Sequence, residues 1–80
     1  MRLDKYLKIT RLIKRRTVAN DACDAGRVLV NDRVARASYE VKEGDQIEIR
    51  LGQKPLRVEV LSIEESPKKE DAARNYRVIE

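Results

Sequence analysis

The stretch LIKRRTVAN, residues 12–20, sets Lys14, Arg15 and Arg16 in a row between two apolar segments. Guanidinium groups present forked N–H donors that match phosphate oxygens, and an ammonium adds a compact positive charge. A helix beginning near Arg16 would place unsatisfied backbone N–H groups beside these cations, and both features favour an anion. Arg2, Lys5 and Arg11 come earlier in the chain, with Asp4 among them, placed to orient an arginine. The candidate set for holding a polyanion is therefore Arg2, Asp4, Lys5, Arg11, Lys14, Arg15 and Arg16. The competing assignment is internal: Arg15 and Arg16 would pair with Asp4, Asp21 or another acid and serve the fold.

Charge distribution sharpens the point. The 80 residues carry 18 Lys or Arg against 14 Asp or Glu, a net charge of +4. Residues 1–36 balance to +6 and residues 37–80 to −2. Such segregation points to a polyanion held by the N-terminal half. Catalysis has little to work with. There is no histidine to serve as general base or metal ligand, and the three glycines are isolated turn residues, not a phosphate loop. Most carboxylates fall on outward positions, and so short a chain has little room for an enclosed pocket. No enzymatic activity, cofactor or metal is expected. Cys23 has no partner for an internal disulfide, and MRLDKYLK is not a signal peptide. No stretch approaches the ~18 apolar residues of a membrane span, so a cytoplasmic protein is expected.

The cations need a frame if they are to converge. A single domain over 1–80 is expected, with a core over 1–62 and an extension over 63–80. Leu3 and Leu7, four apart and flanked by Tyr6 and Thr10, predict a helix from 2 to about 10, with Asp4 near its positive end. Leu12 and Ile13 are expected to tuck into the core. Val18 with Ala22, and Ala19 with Cys23, predict a second helix over roughly 16–25, stopped by Gly26. Asn20, Asp21 and Asp24 would face outward, and Cys23 would be a small core residue.

The apolar period then falls to two. A strand is predicted at 28–30, a tight turn at Asn31-Asp32 that accepts positive φ, and a returning strand from Val34 to Ala37. After a turn at Gly44-Asp45, Ile47, Ile49 and Leu51 alternate with Glu48 and Arg50 outside. A loop from Gly52 to Pro55 leads to the partner strand of Leu56, Val58 and Val60. Ser66-Pro67 would cap a short helix over 67–75, and Tyr76, Val78 and Ile79 would form a last strand or docked tail.

Three segments carry a family likeness: RLDKYL at 2–7, R-x-x-A-x-x-x-C-x-x-G-x-V-x-V-N-D from Arg16 to Asp32, and V-x-x-G-D-x-I-x-I from Val41 to Ile49. In this order and spacing they resemble the RNA-binding domain of small-subunit ribosomal protein four, over about residues 1–51. KKEDAARNY at 68–76 is similar to the extension of the heat-shock-protein-fifteen family, and the whole chain is similar to ribosome quality-control factors of the RqcP type. The resemblance implies an α+β fold (the alpha-L type), with two N-terminal helices packed on a bent, mostly antiparallel sheet and a short C-terminal helix or tail. It also implies binding to large-subunit ribosomal RNA and peptidyl-tRNA, and the protein is expected to be a monomer. An RqcH-type factor would be its partner in alanine tailing of stalled nascent chains. By position Arg16 matches the family's motif arginine, and Arg2 and Asp4 its N-terminal R-L-D. Arg15 departs from the pattern, standing where many relatives carry a capping serine, and Asn31-Asp32 stands where many have Asn-Gly. The alternative function is a general RNA chaperone or translational repressor using the same basic face.

Overall fold

The computed structural model describes residues 1–63 and 75–79. Helix α1 spans Leu3–Ile9, and α2 spans Arg16–Asp24. Leu3, Tyr6 and Leu7 share one face of α1 and are fully buried, as spacings of three and four require. Ala19, Ala22 and Cys23 form the matching stripe on α2, and their small side chains let α1 approach closely. Burial in this stripe pushes the Cys23 thiol up to about 11, with the charges of Asp4 and Asp24 adding to the effect. It is an inert core residue, as expected.

Val18, expected on the buried face, is 44% exposed. At 3.6 residues per turn it lies about 90° around α2 from the centre of the small-residue stripe. Gly26 ends α2 with φ at 75°. Its N–H donates to Cys23 O at 3.0 Å and the Arg27 N–H to Ala22 O at 2.9 Å, the paired bonds that close a helix through a left-handed residue.

Five strands follow: β1 (Val28–Val30), β2 (Arg33–Val34), β3 (Gln46–Ile49), β4 (Leu56–Val60) and β5 (Tyr76–Val78). They form one antiparallel sheet in the order β2-β1-β3-β4-β5. Val28, Val30, Ile47, Ile49, Val58 and Val60 line the face that joins the helices in one core with Ile13. The α+β architecture expected from the sequence is the one observed.

Asn31 and Asp32 take φ values of 52° and 69° and close the β1–β2 hairpin, the double left-handed turn whose twist suits a two-residue connection. The predicted return from Val34 to Ala37 is cut short at Val34. The chain leaves the sheet edge because its backbone is needed elsewhere. Tyr39 O accepts from the Leu3 N–H at 2.8 Å and Ala37 O from the Asp4 N–H at 3.2 Å, so this segment satisfies the orphan donors of the first turn of α1.

Two further expectations change. β3 ends at Ile49, leaving Leu51 38% exposed. Glu48, expected outside, is buried, and Arg50 and Arg57 both donate to its carboxylate. Asn75 precedes β5, and its carbonyl accepts from the buried Tyr6 hydroxyl at 2.5 Å and from the Leu61 N–H at 2.8 Å. Of the helix predicted over 67–75, all but Asn75 lies outside the described residues.

Candidate nucleic-acid interface

The two helices cross so that the first turn of α2 meets the first turn of α1, and the meeting point is Asp4. Only 2% of this residue is exposed. Its carboxylate accepts from the Lys5 backbone N–H at 2.8 Å, Asn20 Nδ2 at 3.3 Å and Arg2 Nε at 3.3 Å. Arg16 Nε lies 3.4 Å away on the other helix. Burial opposes the Asp4 charge. The Asn20 amide, the Lys5 N–H and the Arg16 and Arg2 guanidinium groups outweigh it and hold the carboxyl below its ordinary 3.8.

One buried anion thus orients two arginines from different elements. Each of these arginines keeps close to half of its side chain in solvent, 47% for Arg2 and 48% for Arg16. Arg16 engages Asp4 through Nε, and its terminal N–H groups are available for a second acceptor. Arg2, Asp4, Arg16, Thr17, Asn20 and Asp21 line a shallow depression at this corner. An oriented fork at the rim of an open depression is the geometry for bidentate contact with phosphate.

The other sequence candidates are distributed around the corner. Lys14 and Arg15 are exposed and lead directly into α2, and neither has an ion pair among the described residues. Arg15 holds the N-cap position of α2 without a side-chain cap bond, as its departure from the serine pattern implied. Lys5 is partly buried beside Asp4. Arg11 follows the far end of α1, about 10 Å of helix from Leu3 at 1.5 Å per residue. The internal pairing considered for the arginines holds for Arg16 with Asp4 and not for Arg15.

Asn20, expected to face outward, instead turns to Asp4 on the neighbouring helix. The available signal was its spacing of four from Arg16, which places both on one side of α2.

Arg11 stands in a strained backbone conformation just past α1. It sits at φ 63°, where a side chain costs roughly 1 kcal/mol and glycine is the usual occupant. Its N–H donates to Lys8 O at 3.0 Å and the Ile13 N–H to Leu7 O at 3.0 Å, so the strain belongs to the reversal that carries Ile13 into the core. Arg11→Gly is expected to raise stability by about 0.5–1 kcal/mol while weakening polyanion binding. Chemical denaturation and a binding titration on the same variant check both signs.

Arg50, Arg57 and Arg77 are neutralised by neighbouring carboxylates. On the sheet face away from the helices, Glu48 pairs with Arg50 and with Arg57 at 2.8 Å, and Glu59 pairs with Arg77 across the β4–β5 register. These cations are held by carboxylates of the sheet, whereas Lys14 and Arg15 before α2 are exposed without an ion pair among the described residues.

The model of the S4 domain family matches residues 1–47. The chain is 56% identical over 79 residues to the RQC P-site tRNA stabilizing factor of Streptococcus pneumoniae, covering 99% of this chain and 90% of that protein. It is 48% identical over 79 residues to the protein of the same name from Bacillus subtilis, covering 99% and 92%. Among solved structures, the trimeric heat shock protein 15 of Vibrio cholerae superposes with a TM-score of 0.89 at 30% identity, covering 98% of this chain and 80% of that one. The family likeness read from RLDKYL, the Arg16–Asp32 motif and the Val41–Ile49 segment is borne out. The chain belongs to the S4 domain family, within the group of RQC P-site tRNA stabilizing factors.

Proposed function

We propose that this protein is a non-catalytic, cytoplasmic RNA-binding factor of ribosome-associated quality control. It binds the large ribosomal subunit together with peptidyl-tRNA through the corner built on Asp4, with Arg16 as the oriented phosphate fork and Arg2, whose Nε and Nη2 both engage Asp4, as a fixed positive charge beside it. Lys5, Arg11, Lys14 and Arg15 supply the surrounding positive field. The observation that carries this reading is the convergence of two half-exposed arginines from separate elements on one buried carboxylate. Relatives of nearly the same length bear the name RQC P-site tRNA stabilizing factor, which supports both the process and the tRNA. Holding that tRNA in place, as a monomer beside an RqcH-type factor, is how the protein would support alanine tailing of the stalled chain.

Binding of this kind releases counterions. With about five phosphate contacts, log affinity for purified large subunits is expected to fall against log salt with a slope of roughly −4. A threefold rise in monovalent salt then weakens binding about 50- to 100-fold. Co-sedimentation across a salt series measures the slope. A flat response would mean an apolar partner surface and would remove the phosphate-docking role.

A further inference from the structure

A second surface stands apart from the Asp4 corner. Beside the β1–β2 hairpin lies an open cleft of about 630 Å³ lined by Val30, Asn31, Arg33, Val34, Ala35, Arg36, Ser38 and Tyr39. That volume is in the range of small-ligand sites. Its lining combines apolar and aromatic side chains with two arginines and contains no carboxylate. Arg33 and Arg36 are exposed and have no ion pair among the described residues. Arg50, Arg57 and Arg77, by contrast, are paired with Glu48 and Glu59. Val34 is 62% exposed, the most exposed of the large apolar residues.

The walls of the cleft are fixed in advance. Asp45, which is buried, accepts from the Tyr39 hydroxyl at 3.0 Å and from Asn31 Nδ2 at 3.1 Å. Asn31 Oδ1 in turn accepts from the Gln46 N–H at 3.0 Å. Burial, and then the Asp45 carboxylate, raise the Tyr39 hydroxyl above its ordinary value, so it remains a donor at neutral pH. An aromatic ring and an apolar floor suit the face of a nucleobase, and unpaired guanidinium groups at the rim suit its flanking phosphates.

We infer that this cleft accepts one unstacked nucleotide of the bound RNA, its base against Val34 and Tyr39 and its phosphates on Arg33 and Arg36. This gives the protein a second RNA contact beyond the Asp4 corner, and it rests on the proposed binding to large-subunit RNA. The same basic rim could face an acidic protein segment, and the test separates the two.

The full-length chain is titrated against purified large subunits over a salt series, as wild type, Arg33→Ala/Arg36→Ala, Val34→Glu and Arg16→Glu. All three cleft positions are exposed, so these variants keep the fold, and circular dichroism verifies it. The double alanine variant is expected to bind about tenfold more weakly, with a salt slope shallower by about 1.4 for two lost single-strand contacts. Val34→Glu should weaken binding at least as much and abolish ultraviolet crosslinks to the peptide holding Tyr39. Wild-type affinity and slope in both cleft variants, with Arg16→Glu still defective, would overturn the cleft while leaving the Asp4 corner in place. Intact subunit binding together with lost capture of a tailing factor would assign the cleft to a protein and overturn it equally. Failure of the wild type to bind would remove both readings.

Discussion

Asp4→Ala is expected to destabilise the domain by about 2–3 kcal/mol, because it removes a buried charge around which four donors are arranged. The Asn20 amide and the Lys5 N–H lose their acceptor, and Arg2 and Arg16 are left repelling one another with nothing to orient them. For a domain of this size, that loss lowers Tm by roughly 10–20 °C. RNA binding should weaken about tenfold more than the loss of folded protein explains, since a free guanidinium must be ordered on binding.

The pH dependence gives this prediction a second readout. The folded carboxyl of Asp4 lies below 3.8, so folding favours its ionised form. That contribution is fully present above about pH 4 and is lost as pH falls through the folded value. The stability gap between wild type and Asp4→Ala therefore narrows on acidification. Glu48 is held below its ordinary 4.5 by Arg50 and Arg57. It titrates in the same sense in both proteins, so it cancels from the difference. Thermal melts between neutral pH and pH 3 check the trend.

Arg16→Glu should have the largest effect on binding. It takes one fork from the corner, adds a carboxylate beside Asp4, and changes the local charge by two units. Affinity for large subunits is expected to fall by about 100-fold or more, the equivalent of roughly 3 kcal/mol. The fold should survive. Asp4 keeps Arg2, Asn20 and the Lys5 N–H, and a pair with a half-exposed arginine contributes about 1 kcal/mol or less. Arg16→Lys should fall between the two, retaining charge without the planar fork. Isothermal titration beside a melting curve separates lost binding from lost structure.

Much of this site was legible in the sequence because its features are local. The four-residue spacing of Leu3 and Leu7, the stop at Gly26 and the turn at Asn31-Asp32 each follow from backbone preferences within a few residues. The role of Asp4 in orienting an arginine was also readable from its place among cations. The partnership of Asp4 with Asn20, sixteen residues away, was not, because it depends on how the helices cross. The diversion of residues 35–41 had a similar cause: the first N–H groups of α1 needed carbonyl partners, and only tertiary structure reveals which segment supplies them. Glu48 read as outward by strand alternation. It is buried where the guanidinium groups of Arg50 and Arg57 both engage its carboxylate, a partnership of long side chains that periodicity does not encode.

The most direct test sets two charge reversals of equal size against each other. Lys54 is exposed in the loop between β3 and β4. That loop follows Arg50, whose N–H donates to Arg27 O just beyond the C-terminal end of α2, away from Asp4. Equilibrium binding to purified large subunits is measured for Arg16→Glu and Lys54→Glu at one salt concentration. If the Asp4 corner docks RNA, the first variant loses about 100-fold or more in affinity and the second stays within about threefold of wild type. Equal losses in the two would show that net charge alone governs binding, and unimpaired binding by Arg16→Glu would place the RNA elsewhere on the protein.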